Sequence, residues 1–335
     1  MTFDEVKKQF KARNFKPIYL FHGEEDYYID ALTKLALTSI LDEGERDFNQ
    51  TVLYAKDTQP IDVVDAAARL PMMSEFNVVV LKEAQEYKKS SQWEKFEQYI
   101  QSPSNSTIFI IAHKHKKFDK RSRVYKMLQK KAGIFESEAV KDYQLPAWIS
   151  KFVRDKGFAM TDKAVALVAE FVGNDLSRIV NELEKLFIIV DEGTQINEKH
   201  IEEHIGISKD YNVFELNNAI LEKDILKANR IIKYFEENPK ATHITVVMGS
   251  LYGLYQRLFK AHFAKTNDPG QLAKILKIHP YPAKELLSHK RKHPAKIISR
   301  NFSILREYDV LSKGVGTGGT SDAELMRELV YKLLH

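Results

Sequence analysis

Two uninterrupted apolar runs, Val78-Val79-Val80-Leu81 and Ile108-Phe109-Ile110-Ile111, constrain the first part of this chain more than any other feature. A strand with one face in water alternates polar and apolar residues, whereas a short run without alternation reads as a strand covered on both faces, as in a parallel sheet flanked by helices. Further short apolar runs at 18–21 and 51–54 are interleaved with amphipathic segments at 26–41, 61–70 and 91–100. A helical pattern at 123–131 and a strand-like stretch at 133–136 complete the series. The rhythm predicts an α/β domain over residues 1–140, with a parallel sheet and crossover helices on both faces.

From Tyr143 onward the period changes. Trp148, Ile149, Phe152 and Val153, then Leu176, Ile179, Leu183 and Leu186, recur at spacings of three and four, which is the helical period. Thr161 is placed to cap a helix, Gly173-Asn174 marks one break and Gly193 with Asn197 another. These signals predict a helical module of about four helices over 141–208, ending near Gly206. Longer helical patterns follow at 214–221, 225–236, 244–264, 271–276, 282–289, 295–311 and 323–334, predicting an all-α domain over 209–335. The expected fold class is thus α/β plus all-α. A chain of 335 residues with 44% apolar content is long enough for two or three such units.

The composition narrows the function classes. Cysteine is absent, which excludes disulfides, thiolate catalysis and cysteine-based zinc sites and agrees with a reducing, cytoplasmic setting. No run approaches the roughly 18–20 apolar residues of a membrane-spanning helix, and the opening MTFDEVKKQF is charged, so no membrane association is expected. The net charge of +5 is too small for a chain of this length to announce nucleic-acid binding, so the location of charge matters more than its sum. His113 and His115 are two apart but have no evident third ligand, and no metal site is expected.

Residues 17–30 follow the first strand, where a nucleotide-binding α/β domain carries its phosphate loop. That loop needs a second glycine, a lysine for the β and γ phosphates and a Ser or Thr for magnesium. Here Gly23 is followed by Glu24, Glu25 and Asp26, which repel phosphate, and the third strand ends in Lys82-Glu83-Ala84-Gln85 rather than paired acids. ATP hydrolysis is not expected, and no catalytic residue or cofactor is assigned. The glycine-rich stretch Lys313-Gly-Val-Gly-Thr-Gly-Gly-Thr320 follows a helix and has its lysine ahead of the glycines, so it reads as a connection. One basic cluster, Lys114, Lys116, Lys117, Lys120, Arg121 and Arg123, follows the fourth strand, at the end of the sheet where α/β domains place ligands. These residues are candidates for DNA or phosphate contact. A second cluster spans 289–293 with Lys284 and Lys296.

Several stretches in their order and spacing resemble one family: 17–25, the segment Leu70-Pro-Met-Met-Ser-Glu-Phe-Asn-Val-Val-Val-Leu-Lys82, 106–113, 145–157 with Trp148, 173–186 and 212–235. Together the chain resembles the delta subunits of bacterial DNA polymerase III, clamp-loader members of the AAA+ group that have lost the nucleotide site. The resemblance implies an AAA+-like domain, a helical lid over 141–208 and a helical collar over 209–335. It implies partners as well: the beta sliding clamp, the gamma/tau and delta prime loader subunits, and DNA through the complex, in a nucleoid-associated replisome. In that family two adjacent apolar residues before the third strand enter a pocket of the clamp, and Met72 and Met73 occupy those positions, Met73 where a Phe is frequent. Read without the resemblance, the two methionines equally suit capping of the sheet edge. Two other functions stay open on the residues alone: an active AAA+ ATPase or nucleotide switch, and a stand-alone DNA-binding protein acting through the basic clusters.

Overall fold

In the computed structural model, residues 1–191, 193–205, 211–278, 280–315 and 319–335 are described. Five strands form one sheet: β1 Ile18–Gly23, β2 Gln50–Tyr54, β3 Asn77–Lys82, β4 Thr107–His113 and β5 Gly133–Ser137. Their order is β2-β3-β4-β1-β5 and every pairing is parallel, with Val79 opposite Phe109 and Tyr19 opposite Ile110.

The missing alternation in β1, β3 and β4 has the expected cause. Ile18, Leu20, Val79, Leu81, Phe109 and Ile111 bury one face against Val63, Ala67, Phe96 and Leu128. Tyr19, Phe21, Val78, Val80, Ile108 and Ile110 bury the other against Val6, Phe10, Ile29 and Leu32. Each side chain of this size removed from water contributes about 1.5–3 kcal/mol, so apolar residues are favoured at consecutive positions rather than alternate ones.

Two helices of this unit went unforeseen. Phe3–Lys11 is closed by a capping box between Thr2 and Glu5, and Glu43–Asn49 follows Asp42. The stretch expected as one helix over 91–100 is two, Ser90–Glu94 and Glu97–Gln101. Between them Phe96 is buried and stacks on Phe109 at 6.1 Å, while the Trp93 indole N–H donates to Tyr87 O at 2.9 Å. Docking those two rings outweighs the propensity for a continuous helix.

The chain divides into two units, Met1–Val140 and Lys141–His335. The second unit opens with helices Leu145–Asp155, Asp162–Val172, Leu176–Ile189 and Glu198–Ile205. The Thr161 hydroxyl accepts from Ala164 N–H at 3.2 Å, and Gly173 ends the second helix at φ 75°. A two-stranded parallel sheet, β6 Ala159–Met160 and β7 Gln195–Ile196, joins these helices. Strands of two residues are too short to show a period in sequence. The module boundary near Gly206 lies outside the described residues.

Seven further helices, Val213–Glu222, Ile225–Glu237, Ile244–Phe263, Pro269–Leu276, Pro280–His289, Ala295–Ser312 and Asp322–Leu334, share one core built on Leu216, Ile231, Leu251, Tyr255, Leu258 and Leu329. Of the glycine-rich stretch, residues 316–318 lie outside the described residues, and Gly314 and Gly319 have φ of 83° and 100°. No helix among the described residues is long and apolar enough to cross a membrane.

Candidate functional site

The segment between the helix Pro60–Ala68 and β3 is held by two asparagine side chains. At its end, Asn77 is buried, and its amide donates to Ala66 O at 3.0 Å and Arg69 O at 3.3 Å, tying the helix C-terminus to the start of the strand. In its middle, Asn49 grips Met72 twice: Met72 N–H donates to Asn49 Oδ1 at 2.6 Å, and Asn49 Nδ2 donates to Met72 O at 2.9 Å. The same amide donates to Glu45 O at 3.0 Å, and Asn49 is itself buried. Beyond the methionines, the Ser74 hydroxyl bonds both Phe76 N–H and Phe76 O, and Phe76 meets Phe15 edge-on at 5.5 Å. An Arg13–Glu75 ion pair at 3.5 Å, exposed on both sides, adds little.

What this scaffold presents is apolar. Met73 is fully exposed, Met72 is 63% exposed and Leu70 is 79% exposed. Met73 also holds φ 54°, the left-handed region that non-glycine residues adopt at a cost of roughly 1–2 kcal/mol. Neither methionine caps the sheet by burial. Sequence reasoning singled out the pair and passed over Asn49 and Asn77, because an asparagine that clamps backbone 8 to 23 residues away leaves no local pattern.

The position of a phosphate loop is closed by the chain itself. Gly23 has φ 144°, and a Cβ there would lie 1.9 Å from Ser137 O. Glu24 N–H donates to that carbonyl at 3.0 Å, Glu25 N–H donates to Ser137 Oγ at 3.3 Å, and Ser137 Oγ donates back to Glu25 O at 2.9 Å. Tyr27 N–H is taken by the Glu25 carboxylate. The turn after β4 then lies across the start of the helix Asp26–Ser39, with His115 N–H donating to Asp26 at 2.9 Å. Backbone N–H groups that would wrap a phosphate are thereby spent.

The basic cluster sits at that end of the sheet, and most of its charge is locally matched. Lys114 pairs with Asp30 at 2.8 Å and Glu83 at 3.3 Å, Lys117 with Glu136 at 3.3 Å, and Lys120 with Glu136 at 2.6 Å. Arg121 pairs with Asp119 at 3.1 Å and Arg123 with Glu97 at 3.2 Å. Lys116 has no ion pair among the described residues, and its carbonyl lies 3.1 Å from His113 Nδ1. His22 and His113, opposite one another on β1 and β4, are buried beneath this cluster, and burial pushes both imidazoles down to about 4. The histidines of the second cluster face inward: His293 Nε2 contacts Leu221 O at 2.8 Å and His289 Nε2 lies 3.4 Å from Glu222. Among the described residues no group of three or more His, Cys, Asp or Glu could hold a metal ion.

Comparison with known proteins gives consistent matches. Residues 19–138 match the family described as DNA polymerase III, delta subunit, and residues 210–332 match its C-terminal domain. A Bacillus subtilis (strain 168) protein described as DNA polymerase III subunit delta is 24% identical over 342 residues, covering 98% of this chain and 95% of its own. The solved structure of the Bacillus subtilis DNA clamp loader delta protein superposes with a TM-score of 0.57 at 21% identity, covering 99% of each chain, a likeness of fold.

Proposed function

The chain belongs to the DNA polymerase III delta subunit family, and from that premise we propose that its first unit binds a ring-shaped sliding clamp through Met72 and Met73 and holds one interface of the ring open. The observation that carries this reading is the loop itself: two exposed thioether side chains, one on a strained backbone, on a segment pinned by Asn49 and Asn77. Flexible, polarizable methionines fill an apolar pocket well, and a rigid loop loses little further entropy on docking. Exposing them without a partner gains nothing in stability.

Opening a closed ring needs only a binding free energy that favours the open state, so this subunit requires no chemistry of its own. ATP is then bound by partner subunits of the loader, a division supported by the spent N–H groups at Glu24 and Glu25 and the acids that follow Gly23. The helical bundle after residue 210 supplies the packing surface for assembly with those subunits, and DNA is met in the assembled loader.

The test is calorimetric or surface-plasmon titration of the purified chain with the sliding clamp of the same cell, wild type against Met72→Ala/Met73→Ala. The expected outcome is a loss of about 2 kcal/mol or more, roughly thirtyfold in affinity, as for an interface hot spot. Equal affinity of the two proteins, or no wild-type binding, overturns the reading.

A further inference from the structure

Phe48 is a large apolar side chain left in water: it is 71% exposed and belongs to neither core of the first unit. An apolar residue exposed singly is ordinary and needs no explanation. Phe48 is not single. It is followed by Asn49, whose side chain grips Met72 N–H and O at 2.6 and 2.9 Å, so it stands beside the segment that exposes Leu70, Met72 and Met73. Large apolar side chains gathered on one surface mark an interaction site.

The helix Glu43–Asn49 that carries Phe48 is fastened on two sides. Arg46 Nη2 donates to Thr38 O at 2.9 Å and Arg46 Nε to Leu41 O at 3.3 Å, tying it to the C-terminal end of the helix Asp26–Ser39 and the turn after it. Towards the methionines, Asn49 binds Met72, and the Glu45 carboxylate lies beside the Ser74 hydroxyl, which together with the Asp42 N–H holds it below the usual carboxylate range. Residues three apart on a helix are surface neighbours, so Phe48 lies next to Glu45, whose carboxylate reaches the loop. Helix and loop form one surface with Asn49 as its joint, and the separation of Phe48 from the methionines is set before any partner arrives.

The occupant follows from continuity and from area. A specific interface takes roughly 800 Å² from each partner, more than two methionine side chains present. A buried aromatic side chain adds about 150–250 Å², and Phe, like Met, is enriched in the cores of interfaces. We propose that Phe48 is a second anchor for the sliding clamp, docking on it together with Met72 and Met73. This rests on the clamp reading given above and extends it to a residue of a different element.

The chain has no cysteine, so a single one introduced reports its own surroundings. Phe48→Cys, Met73→Cys and, as a control in the second unit, Ile188→Cys at an 86% exposed position are alkylated in the full-length protein, and modification is followed by mass. Each is treated alone and with the sliding clamp of the same cell at a concentration that saturates that variant. The clamp is expected to slow alkylation of Phe48→Cys and Met73→Cys at least tenfold and to leave Ile188→Cys unchanged. In titration, Phe48→Ala is expected to weaken clamp binding about tenfold with no change in thermal midpoint, since an exposed ring contributes little to the fold. Protection of Met73→Cys without protection of Phe48→Cys overturns this proposal and leaves the methionine reading standing. Wild-type affinity in Phe48→Ala beside a loss in Met72→Ala/Met73→Ala does the same. Absence of protection at both positions, or of wild-type binding, removes both readings. If the thermal midpoint of Phe48→Ala falls, the protection of Phe48→Cys decides alone.

Discussion

Met73 combines full exposure with a φ of 54°, and both properties work against stability. Met73→Gly removes the Cβ that makes this region costly and is expected to stabilise the protein by about 1 kcal/mol in urea unfolding while clamp affinity falls. A fall in stability would mean that Met73 packs in the free protein. The buried imidazoles act in the opposite sense with pH. His22 Nδ1 accepts from Phe118 N–H at 3.1 Å, so protonation there forfeits that bond as well as charging a buried ring. Both His22 and His113 are lowered to about 4 from the ordinary 6.5, chiefly by burial, so between those values the unfolded chain binds more protons than the folded one. Their contribution is fully present above about pH 6.5 and drains as pH falls toward 4, by about 1.4 kcal/mol per unit for each ring at most. Urea unfolding from pH 7 to pH 4.5 is expected to show a declining midpoint, with a flatter decline in His22→Gln.

At the scale of elements, the apolar runs identified β3 and β4 because burial on two faces demands apolar residues at every position. The helices after residue 210 were legible for the complementary reason: each buries one stripe at helical spacing, as Leu251, Leu254, Tyr255 and Leu258 do. Loops have no such period, and the methionine segment was found by resemblance in order and spacing. Its rigidity comes from Asn49, at the end of a helix the sequence did not announce. Asn49→Ala leaves Met72 N–H and the Glu45 and Met72 carbonyls without their side-chain partner and is expected to cost about 1–3 kcal/mol of stability. It should also weaken clamp binding while leaving both thioethers intact. If stability falls and clamp affinity does not, the loop orders on the clamp and Asn49 serves the fold alone.

For the whole molecule, a subunit that works by binding alone should need no nucleotide. Millimolar ATP with magnesium is expected to leave the thermal midpoint of the isolated chain and its clamp affinity unchanged, since a ligand shifts stability only by binding the native state. A midpoint that rises with ATP concentration would restore a nucleotide site to the first unit. The sequence by itself determined the fold class and the longer elements, because burial periodicity is written locally in residue type. It also determined that the phosphate-loop residues are missing, a matter of identity alone. The tertiary structure decided what the charges and loops do. Only folding brings Glu136 to Lys117 and Lys120, Ser137 to the backbone of Glu24, and Asn49 to Met72. Pairing and field depend on distances between residues far apart in the chain, and those distances exist only once the chain has closed on itself.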